Sequence, residues 1–209
     1  LQYRQQAEGL DLSDILEFYT LGSYLVFRLT GRNVTHITDA AATGFFDVHG
    51  KSACGCGFRL PEALLRVLPV GMYAGRRVFA PVGDQQAAIA SLPEKVLREC
   101  YILNLGTAAQ LCCVGDEYLS FGESCLECRP FFGGRYLYTV TGLPGGDWFR
   151  SHSMQPSAEV WLAQRYAQAI EKLPRRSALA VIGGGVAVHY AQLLQDALFR
   201  LGIGYQMAS

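Results

Sequence analysis

The sequence predicts a mixed α/β fold, and three stretches carry that expectation. "CYILNLGTAAQLCCVGDEY", Cys100 to Tyr118, reads as a strand, a Gly-Thr turn and a second strand, the pattern of a hairpin. "PSAEVWLAQRYAQAIEKLP", Pro156 to Pro174, places Val160, Ala163, Ala167 and Ile170 on one helical face, with Ser157 as N-cap. "SALAVIGGGVAVHYAQLLQDALFRLG", Ser177 to Gly202, is a buried strand, a glycine triplet and a helix with Ala187, Ala191, Leu194 and Leu198 on one stripe. Hairpins followed by strand–turn–helix units are the signature of mixed α/β architecture.

The remaining elements follow in chain order. Residues 12–29 carry apolar groups at helical spacing and stop at Thr30-Gly31, since glycine readily takes the left-handed conformation that ends a helix. "VTHITDAAATGFFDVHGK" begins β-branched and has small residues in its middle. Residues 59–68 read as a short helix opened by Pro61. Gly71 and Gly75 mark a turn region, and "RRVFAPV" reads as a strand leading into "GDQQ". "RYLYTVTGLPGGDWF" is another strand running into a glycine-rich turn. The chain shows no internal repeat and no low-complexity tract.

The totals narrow the function classes. The 209 residues suit one sizeable domain or two small ones, and half are hydrophobic, which is ample for a core. Lys plus Arg equals Asp plus Glu at 18 each, with no block of either sign, which argues against a nucleic-acid footprint or a polybasic membrane patch. No apolar run reaches the roughly 18 residues that span a bilayer. The chain starts at Leu1, without Met or a signal-peptide layout, and reads as a piece of something longer. Seven cysteines include Cys54 and Cys56 in "CGCG", adjacent Cys112 and Cys113, and Cys125 and Cys128 in "CLEC". These spacings do not match the common zinc ribbons, so the expectation is reduced thiols in a cytoplasmic core. The four histidines, His36, His49, His152 and His189, are scattered and show no metal-ligand spacing.

Three glycine-bearing turns are built alike. In each a strand ends, small residues follow, and backbone N–H groups are left to face an anion. They are Gly83-Asp84-Gln85, Gly106-Thr107-Ala108 and Gly183-Gly184-Gly185. The third lacks the G-x-G-x-x-G spacing, and no acid follows about twenty positions on, which argues against a Rossmann dehydrogenase. Taken alone, Asp84 also reads as the cap of a helix starting near Gln86, and Gly106-Thr107 as an ordinary hairpin turn. Asp39 reads as a structural acid, and Phe131, Phe132, Tyr136 and Tyr138 as core.

The order of five segments resembles the FGGY carbohydrate kinases. They are "YLVFRLTGR" (Tyr24 to Arg32), "TDAAATGFFD" (Thr38 to Asp47), "GDQQAA" (Gly83 to Ala88), "LNLGTAAQL" (Leu103 to Leu111) and "GGGVAVHYAQLLQDAL" (Gly183 to Leu198). Within that family "RPFFGGRYLYTVTGLPGG", Arg129 to Gly146, is most similar to the sedoheptulokinases, and the general pattern is shared with xylulokinase-like pentulose kinases. The resemblance implies a ribonuclease H-like two-domain fold of the sugar kinase, Hsp70 and actin type. Residues 1–82 would be the tail of the sugar-binding domain and 83–209 an incomplete nucleotide-binding domain. It implies ATP and Mg²⁺ as cofactors, a small sugar as partner, and phosphorylation of a ketose hydroxyl such as that of sedoheptulose. Asp84 would be the general base and Gln85 a contact to a sugar hydroxyl. Gly106 and Thr107 would hold the ATP phosphates, Gly183, Gly184 and Gly185 the adenosine, and Mg²⁺ would neutralise the β- and γ-phosphates.

The departures from the family pattern set further expectations. The family's Asp-x-Gly-Thr turn would lie before Leu1, the stretch between "GGDWF" and "IGGG" is short, and a closing strand and helix are expected to be lacking at Ser209. On this reading the 209 residues alone are inactive, while the protein they come from is a sugar kinase. The other readings are a non-catalytic nucleotide-binding remnant and, third, a zinc or redox module built on the cysteines.

Overall fold

The computed structural model describes residues 15–53, 55, 57–122 and 125–207. Cys54, Cys56 and the start of the first expected helix, Leu12 to Asp14, lie outside the described residues. The chain divides into two compact units, Leu1–Asp84 and Gln85–Ser209.

In the first unit, helix α1 spans Leu21–Thr30. It starts later than its periodicity suggested because Thr20 caps it: Ser23 N–H donates to Thr20 Oγ1 and Thr20 N–H to Ser23 Oγ, a reciprocal pair that satisfies two donors at the helix start. Gly31, at φ 75°, ends it in the left-handed region as expected. Strand β1 (Val34–His36) leads into the short helix α2 (Ile37–Ala40), then β2 (Phe46–Asp47) pairs with β3 (Ser52–Ala53). Asp39 accepts from both Thr20 Oγ1 (2.8 Å) and Thr35 Oγ1 (2.6 Å), tying the helix start to β1. The helix expected over 59–68 does not form. Glu62–Leu64 is instead strand β4, parallel to β1 with Val34 opposite Glu62. Strands β5 (Pro69–Tyr73) and β6 (Arg76–Phe79) make a hairpin, and Gly71 lies within β5 while Ala74 and Gly75 turn the chain at φ 47° and 76°. Val26, Val34, Val70 and Ala80 form the core beneath α1.

The second unit opens with helices α3 (Asp84–Ala90, whose first residue closes the first unit) and α4 (Glu94–Glu99). Its sheet has six strands: β7 (Cys100–Leu105), β8 (Ala109–Gly115), β9 (Leu126–Pro130), β10 (Tyr136–Leu143), β11 (Ala178–Gly183) and β12 (Gly204–Met207). Their order across the sheet is β12-β11-β7-β8-β10-β9. The pairs β12–β11 and β11–β7 are parallel and the rest antiparallel, which confirms the expected hairpin between β7 and β8. β12 forms one edge of this sheet, parallel to β11.

Ile89, Leu97, Ile102, Cys112, Val114, Phe131 and Leu137 pack α3 and α4 onto one face of this sheet. Pleat alternation turns Leu103, Leu111, Cys113 and Tyr138 to the other face, so the middle strands are buried on both. Helix α5 spans Gly146–His152 and α6 spans Ala158–Glu171. The buried face of α6 is Ala158, Leu162, Ala163, Tyr166 and Ala169, rotated from the expected stripe because Leu162 and Tyr166 contribute more apolar area than Val160 and Ala167. Ser157 occupies the N-cap position but makes no capping bond, being held at φ 61°. The last helix is broken at Tyr190 into α7 (Gly185–His189) and α8 (Ala191–Arg200), with Ala187, Leu194 and Leu198 buried as expected.

Candidate functional site

Strands β7 and β11 are parallel neighbours with Leu105 opposite Gly183, so both end at the same edge of the sheet. The turns that follow them, Gly106-Thr107-Ala108 and Gly183-Gly184-Gly185, are therefore side by side and exposed. The β7–β8 ladder closes at Leu105 and Ala109, leaving Gly106, Thr107 and Ala108 outside the pairing. Ligands of open α/β sheets bind at the carboxyl ends of parallel strands, and this edge has that geometry.

A third turn, Pro144-Gly145-Gly146, braces the first two. Gly146 N–H donates to Gly106 O at 2.9 Å and Asp147 N–H to Thr107 O at 3.1 Å. A Cβ on Gly145 would lie 2.5 Å from Ala108 C and 2.6 Å from Ala109 N, so only glycine permits this approach. A Cβ on Gly146 would meet Val186 Cγ2 at 3.0 Å, which links the same turn to the start of α7. From behind, Tyr166 of α6 is fully buried and donates its hydroxyl to Pro144 O at 3.0 Å. Burial pushes the Tyr166 phenol well above its ordinary range, so it stays a donor. Gly145, Gly146 and Asp147 are residues that the local pattern did not single out. The signal was there: a Gly-Gly-Asp run directly after a strand.

The three glycines of the triplet differ in role. A Cβ on Gly183 would strike Leu105 Cβ at 2.9 Å and Leu105 O at 3.2 Å, so this glycine serves strand packing. At Gly184 and Gly185 a Cβ would meet nothing within 4 Å, so these two line open space. The Asp147 carboxylate, at the start of α5, pairs with Arg150 at the surface.

The first of the three expected anion turns is built differently. Gly83 N–H donates to Thr38 Oγ1 at 3.0 Å, so it does not face outward for an anion. Asp84 is exposed and opens α3. Gln85 is 8% exposed, and its carbonyl oxygen accepts from Arg129 of β9, which also pairs with Glu127 at 2.7 Å. The structure thus brings together Gly106, Thr107, Gly183, Gly184 and Gly185, and holds Gln85 at β9, the opposite edge strand from β12. Among the described residues no cluster of three or more His, Cys, Asp or Glu is gathered as for a metal, and no helix is long and apolar enough to cross a membrane.

Solved structures with this arrangement of elements include kinases of xylulose, gluconate and glycerol. The chain matches a ligand-bound xylulose kinase from Lactobacillus acidophilus with a TM-score of 0.76 at 13% identity, over 99% of this chain and 58% of that one. The fold is that of the sugar kinases. A kinase from Brucella ovis, described as a xyloylose kinase, matches with a TM-score of 0.75 at 14% identity over 99% of this chain and 59% of its own. Plasmodium falciparum glycerol kinase with ADP matches with a TM-score of 0.67 at 14% identity, over 90% of this chain and 54% of that one. The 209 residues therefore span little more than half the length of the kinases they match. No family model matches the sequence, and no curated protein does.

Proposed function

We propose that the protein containing this chain is an ATP-dependent carbohydrate kinase, with the second unit as its nucleotide side. The observation that carries this reading is the shared edge where the β7 and β11 turns lie side by side and are braced by Gly145-Gly146. Backbone N–H groups of Gly106 and Thr107, with the Thr107 hydroxyl, are suited to phosphate oxygens, because such turns present several dipoles to one anion. The open space over Gly184 and Gly185 admits a flat ring where side chains would intrude. Bound Mg²⁺·ATP supplies the phosphoryl group and neutralises charge as it transfers.

Asp84 is the acceptor's base in this reading. Its carboxylate is exposed on the first turn of α3, where it can accept the hydroxyl proton that leaves late in phosphoryl transfer. The acceptor is a ketose: sedoheptulose is favoured by the Arg129–Gly146 segment, and xylulose by the names of several matched kinases. A second reading, a nucleotide-binding module without sugar chemistry, is favoured by the burial of Gln85 against Arg129, which takes up the carbonyl a sugar hydroxyl would need.

The test uses the full-length gene product with ATP and a panel of sedoheptulose, xylulose, gluconate and glycerol. The kinase reading expects one ketose to be turned over. Asp84→Asn is expected to lower its rate by about 10²–10⁴-fold while ADP binding is kept. An unchanged rate places the base elsewhere; ADP binding without turnover of any sugar selects the second reading; no ADP binding removes both.

A further inference from the structure

Both tryptophans of the chain stand in one stack. Trp148 of α5 lies parallel to Trp161 of α6 at 4.9 Å between ring centroids and 7° between planes. Trp148 also stacks on His152 at 5.3 Å and 4°. The short connection from Ser153 to Ser157 brings the two helices together to make this column. Trp161 nevertheless stays 42% exposed. The column forms one wall of a pocket of about 470 Å³ whose other lining includes Gln155, Ser157 and Gln164. Among the described residues no Asp, Glu, Lys or Arg lines it; the nearby Arg165 guanidinium, 5.8 Å from the Trp161 ring, bonds to Gln168.

Ser157 adds an independent observation. It is a non-glycine residue held at φ 61°, and its side chain does not cap α6. Non-glycine residues held in the left-handed region cluster at active sites, ligand clamps and switch segments.

We propose that this pocket is a second ligand site, separate from the glycine turns, and that it takes a neutral sugar. A sugar ring has a C–H face and a belt of hydroxyls. The ring column offers an apolar wall for the first, and the amides of Gln155 and Gln164, each both donor and acceptor, suit the second. A phosphorylated ligand would find no Lys or Arg among the described lining residues to offset the desolvation of its charge. The site belongs to the second unit alone and does not depend on the kinase reading.

Tryptophan emission reads the column directly, because the chain has no other indole. The chain is titrated with D-glucose and D-xylose, with glucose 6-phosphate in parallel. The neutral sugars are expected to change the emission saturably, and the phosphate to bind at least tenfold more weakly. Gln164→Ala keeps both indoles and is expected to raise the apparent Kd at least tenfold with an unchanged circular dichroism spectrum. Absence of a saturable response to both neutral sugars overturns the proposal, as does equal binding by Gln164→Ala or by the phosphate. A response abolished by Asp84→Asn but kept in Gln164→Ala would put the sugar at the other unit's acid and overturn it equally.

Discussion

Gly146 donates its backbone N–H to the carbonyl of Gly106, and one residue before it Gly145 lies flat against the Ala108–Ala109 peptide. The turn proposed to hold phosphate is thus held in place by a second turn, which Tyr166 in turn anchors through Pro144. Adding one methyl group at Gly145 forces a backbone shift, because the atoms at 2.5–2.6 Å are main chain and cannot swing aside. Gly145→Ala is expected to destabilise the chain by about 1–3 kcal/mol. It is also expected to weaken ADP binding beyond that loss, read by calorimetry below the unfolding transition.

The triplet offers a cleaner separation of stability from binding. Gly183→Ala meets Leu105 at 2.9 Å and is expected to lower the melting temperature. Gly185→Ala meets nothing within 4 Å, and Gly185 opens helix α7, a conformation that alanine favours. That variant is expected to melt like the parent while binding ADP more weakly. Equal ADP affinity in Gly185→Ala would show that no ligand occupies the space above that glycine.

Where local pattern and tertiary pairing agreed, the fold was legible in the residues. The runs at Cys100–Leu105 and Ala178–Gly183 are apolar on both faces, as strands buried within a sheet must be, and glycines punctuate their ends. The stretch after Pro61 misled because Glu-Ala-Leu-Leu-Arg favours a helix, yet its backbone bonds are claimed by β1 in a parallel pair. The delayed start of α1 was encoded by Thr20 and Ser23, a cap signal outweighed by the apolar periodicity upstream. The site was half legible. Glycines announce turns, but only the sheet order places residues 106 and 183 together, and only the close approach at Ala108 explains Gly145. The burial of Gln85 depends on Arg129, 44 positions away, which no local pattern could show.

The adjacent cysteines test the core itself. Cys112 and Cys113 are 0% exposed, and burial raises both thiols, Cys113 up to about 11 and Cys112 further. Thiolate, the reactive form, is therefore scarce at neutral pH, and access is blocked as well. Iodoacetamide at about pH 7.5, below the ordinary thiol range, is expected to leave both unlabelled in the folded chain and to label both in denaturant, as read by peptide mass spectrometry. Rapid labelling of either in the native state would mean that β8 is not the buried strand described.

The first unit carries a pH dependence of its own. His36 is 1% exposed, with Nδ1 2.9 Å from Thr38 Oγ1. Burial lowers its pKa from the ordinary 6.5, opposed in part by a backbone hydrogen bond with Leu65. The unfolded chain therefore binds a proton here at a higher pH than the folded chain does. The resulting stability is fully present above about pH 6.5 and is lost as the pH falls through the lowered folded value. The urea midpoint is expected to decline from about pH 7 to about pH 5, and His36→Gln to flatten that decline whatever its own stability at neutral pH. The amide cannot take the proton, so a slope that persists unchanged in this variant assigns the titration to another group.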